Sequence, residues 1–436
     1  MTTLASGPTS RQRCARCGNE TPDTDPAPRC ATCGGLLEIV HDPPARRGAD
    51  LRALFASRRA DGSDGESGVW RYREIVLPNA GEHIVSHPEG NTPLLSRSAV
   101  AKFAGVDWLG LKHEGHNPTG SFKDRGMTVG VTQARRIGAR VVACASTGNT
   151  SASLASYAAH AGIPALVFVP AGQVALGKLA QSLAYGARTL LVRGDFDACL
   201  SLVQAASARL GIYLLNSINP FRVEGQKTIA LEILEQLNWD APDWLALPAG
   251  NLGNTAAFGK ALREARELGL IERVPRLAAI QAEGAAPFAQ SFREQFSTRP
   301  TVKAETVATA IRIGDPASFD RAVDAIRFTS GVVTTVSDEQ ILDAKAVIDA
   351  AGVGCEPASA ASVAGVRRLV RDGVITPGER VVAVLTGHIL KDPGALLRYH
   401  QEQTPAPTYA NAPIEIDATV EAVERVIASN SRLAAS

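Results

Sequence analysis

Three sets of residues have types and spacings suited to chemistry. The first surrounds one lysine. In HNPTGSFKDRG, His116–Gly126, Lys123 follows Pro118, Thr119, Gly120 and Ser121. Proline sets a turn and small hydroxyl residues leave room at its mouth. An amine withdrawn from water there loses affinity for its proton and becomes a nucleophile toward an aldehyde. The plainer role open to Lys123 is an ion pair with its neighbour Asp124. The second set is two glycine-asparagine turns, STGNTSAS at Ser146–Ser153 and AGNLGN at Ala249–Asn254. Each follows an apolar run and opens a helix-forming stretch. Glycine admits a ligand close to the backbone, and the free amides of a helix's first turn receive an anion without a charged side chain. One such turn has a purely steric explanation; two make a stronger case. The third set is Cys14-x2-Cys17 and Cys30-x2-Cys33, followed by Gly18 and by Gly34 and Gly35. Two such knuckles can bring four thiolates to one zinc, which is then structural because no coordination position stays open. Four free thiols, or a ribbon that has lost its metal, are the alternatives.

The elements that must position these residues read as two series of near-continuous apolar strands alternating with alanine-rich helices. The first comprises Trp108–Lys112, Arg140–Ser146, Ala165–Pro170, Thr189–Gly194 and Tyr213–Ser217, with helices such as SASLASYAAHAG and ALGKLAQSLAYGA between them. The second comprises Trp244–Pro248, Arg276–Gly284, Gly331–Ser337 and Arg380–Gly387. Strands apolar along their length and separated by helices predict parallel sheets covered on both faces, with ligands at the strands' carboxyl ends. The fold class is therefore α/β, with two open parallel-sheet lobes preceded by a small zinc-ribbon-like module. The expected organisation is a module over 1–42, a linker and N-terminal extension over 43–88, and a smaller lobe over 89–230 with Lys123 and the STGNT loop. A larger lobe follows over 231–400 with the GNLGN loop, and then a tail over 401–436, in which Val420, Val423 and Ile427 suit one face of a short helix.

Composition narrows the function classes. With 436 residues and 45% hydrophobic content the chain can bury a large core. Its formal net charge of +1 and the lack of a basic run argue against a nucleic-acid partner. MTTLASGPTSRQRCARC has no apolar stretch of signal-peptide length, and no later run reaches the roughly 18 apolar residues of a membrane helix. A cytoplasmic protein with no membrane contact is expected. There is no P-loop, and GNLGN is not the dinucleotide pattern, so ATP and nicotinamide cofactors lose ground. An amine for an aldehyde and amides for a phosphate together point to pyridoxal 5'-phosphate.

HEGHNPTGSFKDRGM, ASTGNTSAS, LPAGNLGN and VLTGH, in that order between about Glu89 and His388, resemble the threonine synthases of the tryptophan synthase β-like, fold type II pyridoxal phosphate enzymes. The resemblance implies that Lys123 carries the cofactor as a Schiff base and that Asn149 bonds the ring hydroxyl. It further implies that Gly250, Asn251, Leu252, Gly253 and Asn254 hold the cofactor phosphate, and that Thr386 meets the ring nitrogen. Ser146, Thr147 and Thr150 match the family's substrate loop, which receives an amino acid's carboxylate. Asn216, Ser217 and Arg222 match its substrate-phosphate segment, although Arg222 has Glu224 as a ready surface partner. The implied reaction turns O-phospho-L-homoserine and water into L-threonine and phosphate, in a homodimer. A cysteate synthase-like paralogue acting on phosphoserine with sulfite shares the need for a phosphate site, whereas threonine dehydratase needs none. A non-catalytic zinc-ribbon binding protein is the reading from another class. The resemblance places Cys355, Glu356 and Ser359, in GVGCEPASAAS, in a region that borders the cofactor, with no role assigned and with Cys355 reading as a small core residue; His116 has no assigned role.

Overall fold

The computed structural model describes residues 9–60, 66–172, 176–402 and 406–429. The first residues of the expected module, part of the linker and stretches of the tail lie outside these. By compactness the chain divides at Pro393–Gly394 into a large unit and a small C-terminal one.

The large unit contains three sheets. Strands β1 (Ser10–Cys14), β2 (Glu20–Pro22) and β3 (Leu37–His41) form an antiparallel sheet in the order β2-β1-β3. Strands β4 (Leu94–Ser96), β5 (Leu109–His113), β6 (Val142–Ala145), β7 (Ala165–Pro170), β8 (Arg188–Val192) and β9 (Tyr213–Leu214) follow. The last four are β10 (Trp244–Pro248), β11 (Arg276–Ala282), β12 (Val332–Val336) and β13 (Val381–Leu385). Strands β8-β7-β6-β9 make a parallel four-stranded sheet. The order β12-β11-β10-β13-β5-β4 makes a six-stranded sheet, parallel except for its antiparallel edge β4. Alternate residues of the six-stranded sheet enter two different cores. Leu245, Leu247, Val382 and Val384 pack on one face, and Trp244, Ala246, Val381 and Ala383 on the other. Both faces are covered, which is why these strands read as unbroken apolar runs.

Two expectations about organisation need correction. Strand β5, assigned from sequence to the 89–230 lobe, lies in the six-stranded sheet between β13 and β4. The boundary at 230 falls inside the helix Thr228–Gln236, whose Ile229, Leu231 and Ile233 pack into the core of the six-stranded sheet. A run of five buried residues announces a parallel strand without saying which sheet it joins. The expected strand Tyr213–Ser217 also stops early, at Leu214, because the Asn216 side chain takes over the pairing. It accepts from Ala145 N and donates to Ala145 O, both at 3.0 Å.

Two helices cross at glycines to bring the chemistry together. Lys123–Arg136 and Pro220–Gln226 approach so closely that a Cβ at Gly225 would lie 1.7 Å from the Arg125 carbonyl oxygen. One at Gly126 would lie 2.9 Å from that of Arg222. Beside this crossing sits a buried charge network. Arg125 bonds Glu114 at 2.7 and 2.8 Å and Glu232 at 3.0 and 3.1 Å. Lys112 pairs with Glu232, and Arg71 meets Glu235 at 3.1 Å. In the C-terminal unit the helix Val420–Ser429 forms as expected, with Val420, Val423 and Ile427 exposed. Among the described residues no helix is long and apolar enough to cross a membrane.

Because the obstacle at Gly225 is backbone, Gly225→Ala should cost at least about 2–3 kcal/mol of stability. Gly378→Ala, where nothing lies within 4 Å, should stay within about 0.5 kcal/mol. Urea unfolding of both variants checks the difference.

Candidate active site

Lys123 is the first residue of its helix, and the turn before it is held from several sides. The Asp124 carboxylate accepts from Thr119 N at 2.7 Å, Thr119 Oγ1 at 2.6 Å and Ser153 Oγ at 2.6 Å. His388 N donates to Gly120 O at 2.9 Å, and Phe122 N donates to Thr386 O at 3.0 Å. The turn is thereby fastened to the carboxyl end of β13. Asp124 is saturated by these donors, which removes the ion pair with Lys123 weighed from sequence. Among the described residues the half-buried Lys123 amine has no hydrogen-bond or ion-pair partner, only the Phe122 ring at 4.2 Å. Burial first, then repulsion from Arg222, bring it down to about 7 against the pull of Glu356.

Around that amine lies a group that sequence reading left unassigned. Glu356 is buried and accepts from Asn149 Nδ2 at 2.9 Å and Thr386 Oγ1 at 3.2 Å. Ser359 Oγ meets Thr386 Oγ1 at 2.9 Å and accepts from Gly387 N at 3.0 Å. Asn149 and Thr386, far apart in sequence, are thus joined through one carboxylate. Burial raises the Glu356 carboxyl, and the bonds from Asn149 and Thr386 only partly offset it. Cys355, one residue before, packs into the core. His116 stacks edge-on against His113, ring centres 4.6 Å apart. The sequence signal for Glu356 was a carboxylate at the N-cap of the proline-started helix Pro357–Arg371.

The GNLGN turn has the form of an anion cradle. Leu252 takes a left-handed conformation with φ of 61° and caps the helix Gly253–Glu267. The amides of Gly253, Asn254 and Thr255 fall in the first turn, where no intrahelical carbonyl reaches them. Gly250 is required because a Cβ there would lie 2.8 Å from Ile311 Cα. Thr255 Oγ1 and Asn254 Oδ1 are buried without partners among the described residues. Orphaned polar atoms beside free amides at the start of a long helix fit a phosphate. Thr255 was missed from sequence, though its hydroxyl directly follows the turn. The Asn251 side chain is engaged: it donates to Ser217 Oγ at 2.6 Å and accepts from Ala317 N at 2.6 Å.

The remaining candidates divide. Ser146 Oγ accepts from Gly148 N at 3.3 Å, and Thr147 and Thr150 stand half-buried where the helix Asn149–Ala161 begins. Both polar atoms of the Asn216 side chain are used on Ala145, so Asn216 holds the turn. Ser217 is linked to the cradle through Asn251. Arg222 is buried and donates from Nη1 to Leu215 O at 3.1 Å, while Nε and Nη2 have no partner among the described residues. Burial pushes its guanidinium down to about 10. The pairing of Arg222 with Glu224 fails, because Glu224 turns instead to His41, Lys227 and Lys260.

In the N-terminal sheet the Sγ atoms of Cys14, Cys17, Cys30 and Cys33 all lie within 4.8 Å of one another. Gly18 and Gly34, with φ of 73° and 69°, let their amides return to Cys14 O and Cys30 O at 3.0 and 2.8 Å. A Cβ at Gly35 would lie 2.8 Å from Cys14 Sγ. Four converging sulfurs in two tight knuckles suit a tetrahedral ion.

Comparison with known proteins agrees with this geometry. Residues 85–387 match the family described as pyridoxal-phosphate dependent enzyme. The threonine synthase of Methanocaldococcus jannaschii is 45% identical over 418 residues, which cover 95% of this chain and 99% of that protein. The threonine synthase of Mycobacterium tuberculosis is 47% identical over 75% of this chain and 89% of its own. In three dimensions the Escherichia coli threonine synthase matches 96% of this chain and 99% of its own, with a TM-score of 0.69 at 18% identity. Maize serine racemase matches 81% and 96% with a TM-score of 0.62 at 20% identity, and shares the fold. A lysine amine, an anion cradle and a continuous match to such relatives converge: the chain belongs to the pyridoxal-phosphate dependent enzymes and, among them, to the threonine synthases.

Proposed function

We propose that the enzyme converts O-phospho-L-homoserine and water into L-threonine and phosphate, and that Arg222 carries this reading. A buried guanidinium with two nitrogens unpartnered, electrostatically coupled to Lys123, is suited to a phosphate dianion arriving with the substrate. Pyridoxal phosphate, when bound, supplies an electron sink for negative charge on the substrate's carbons. Lys123 is the residue that would hold its aldehyde, and the amides of Gly250, Asn251, Leu252, Gly253 and Asn254, with Thr255, would hold its phosphate. Asn149 would serve the ring hydroxyl and Thr386 the ring nitrogen.

The chain's own groups then divide the work. Ser146, Thr147 and Thr150 orient the substrate carboxylate at the start of their helix. Lys123, neutral near pH 7, takes the α proton as base, passes it to solvent, and is then free to take a β proton. Arg222 and Ser217 bind the phosphate and stabilise it as the Cγ–O bond breaks. The lysine returns its proton to the γ carbon, water then adds its hydroxyl at the β carbon while giving up a proton to the lysine amine, and the lysine delivers that proton to the α carbon to complete threonine. A hydroxyl at the ring nitrogen does not keep it protonated, which places more of the proton traffic on Lys123. The four cysteines are assigned to structural zinc, the assembly to a homodimer, and the compartment to the cytoplasm.

Three outcomes are expected. Lys123→Ala should lose both the cofactor's Schiff-base absorbance and all phosphate release, and retention of either contradicts the assignment. Arg222→Ala should raise KM for O-phospho-L-homoserine at least about thirtyfold, on the order of 2 kcal/mol or more; cysteate formed from phosphoserine and sulfite would transfer the function to the paralogous reaction. Only the neutral amine attacks an aldehyde, so pyridoxal phosphate capture by the cofactor-free protein should rise with pH through about 7. A midpoint near the ordinary lysine value would show that Lys123 is not desolvated.

A further inference from the structure

The N-terminal sheet touches each of the three helices that carry the site. Lys123 opens Lys123–Arg136, Arg222 lies in Pro220–Gln226, and the cradle opens Gly253–Glu267. At the far end of the first helix, the Asp23 carboxylate accepts from Arg136 Nη1 and the Asp23 carbonyl from Gln133 Nε2, each at 2.7 Å. On the third, Lys260 Nζ donates to Ile39 O at 2.6 Å and also pairs with Glu224. On the second, Glu224 Oε2 meets His41 Nε2 at 3.0 Å, while Ser10 Oγ holds His41 Nδ1 at 2.8 Å. Glu224 is buried, two residues from Arg222, and is the point where sheet and helices meet.

The cysteine cluster and His41 share one pair of strands. Ser10 and His41 are cross-strand partners in β1 and β3, and so are Cys14 and Leu37 at the other end of the same ladder. The apolar cluster within the sheet is Cys14, Cys30 and Leu37 with Cys33 against it, so the metal-binding residues are themselves the core. Further along β3, Ile39 packs in the main core and its carbonyl accepts from Lys260, so an ion would act on the cysteine end of the ladder, where the apolar cluster is formed by the cysteines and Leu37.

We propose that metal at Cys14, Cys17, Cys30 and Cys33 positions the phosphate-binding arginine, acting through β3 and the His41–Glu224 contact. His41 and Glu224 are positioning residues that set the helix of Arg222. The proposal rests on the reading that Arg222 receives the substrate phosphate. The test uses the full-length holoenzyme with its zinc content measured. His41→Ala should raise KM for O-phospho-L-homoserine about fivefold with kcat within about twofold, at unchanged zinc content and cofactor absorbance. His41→Gln, which keeps a donor for Glu224, should recover part of the loss. Stripping zinc from the unsubstituted enzyme with a chelator should weaken binding of inorganic phosphate comparably, and Zn2+ should restore it. Unchanged KM in His41→Ala, or a joint fall in kcat and cofactor content with KM unmoved, overturns the coupling. Arg222→Ala run alongside separates the two ideas: if it leaves KM unchanged, the phosphate reading itself fails.

Discussion

The site depends on Arg125 being buried with its charge compensated. Its guanidinium lies between Glu114 and Glu232, within a network in which three cations, Arg71, Lys112 and Arg125, face three carboxylates, Glu114, Glu232 and Glu235. Taking charges out of water is tolerable only when each finds a partner, and removing one member strands the others. The network joins the N-terminal extension through Arg71, the six-stranded sheet through Lys112, and the helix Thr228–Gln236 through Glu232. Arg125 is two residues from Lys123, so the turn that presents the amine is set by electrostatics that span the chain.

Against that neutralised background the unpaired cations acquire meaning. Arg125 and Arg222 are both buried on crossing helices, yet one is saturated by carboxylates while the other keeps two nitrogens without partners among the described residues. Lys112 and Lys123 show the same contrast: Glu232 closes on the first, and among the described residues the second has no carboxylate bonded to it, only an aromatic ring beside it. Residue type is identical within each pair. What separates a structural cation from a chemical one is whether the fold provides its counter-charge, leaving the other to be completed by an anionic or electrophilic ligand.

Much of this was legible locally. Lys123 in its small-residue turn, the glycine-asparagine turns after β6 and β10, and the double pair of cysteines are short motifs whose geometry follows from adjacent residues. The strands of both large sheets, apart from the antiparallel edge β4, were also readable, because most of them are apolar along their length. What escaped depends on partners distant in sequence. Strand β5 changes sheet, Asn216 and Asn251 spend their side chains on backbone and on Ser217, and Glu356 joins Asn149 to Thr386 across more than two hundred residues. Arg222 and Glu224 stand two apart and invite a pairing that the helix forbids by turning them to different neighbours. The docking of the N-terminal sheet through Asp23 and His41 carried no local signal at all.

The left-handed Leu252 ties the cradle to the core. A branched side chain in that conformation costs roughly 1–2 kcal/mol, and burying a leucine returns about as much. Its side chain is 2% exposed and packs within the main apolar cluster. Relaxing the turn by local rotation would therefore pull a core residue into water, so this loop cannot serve as a flap. It behaves as a mould cast with the hydrophobic core, and an anion bound there would have to enter and leave without any yielding of this loop.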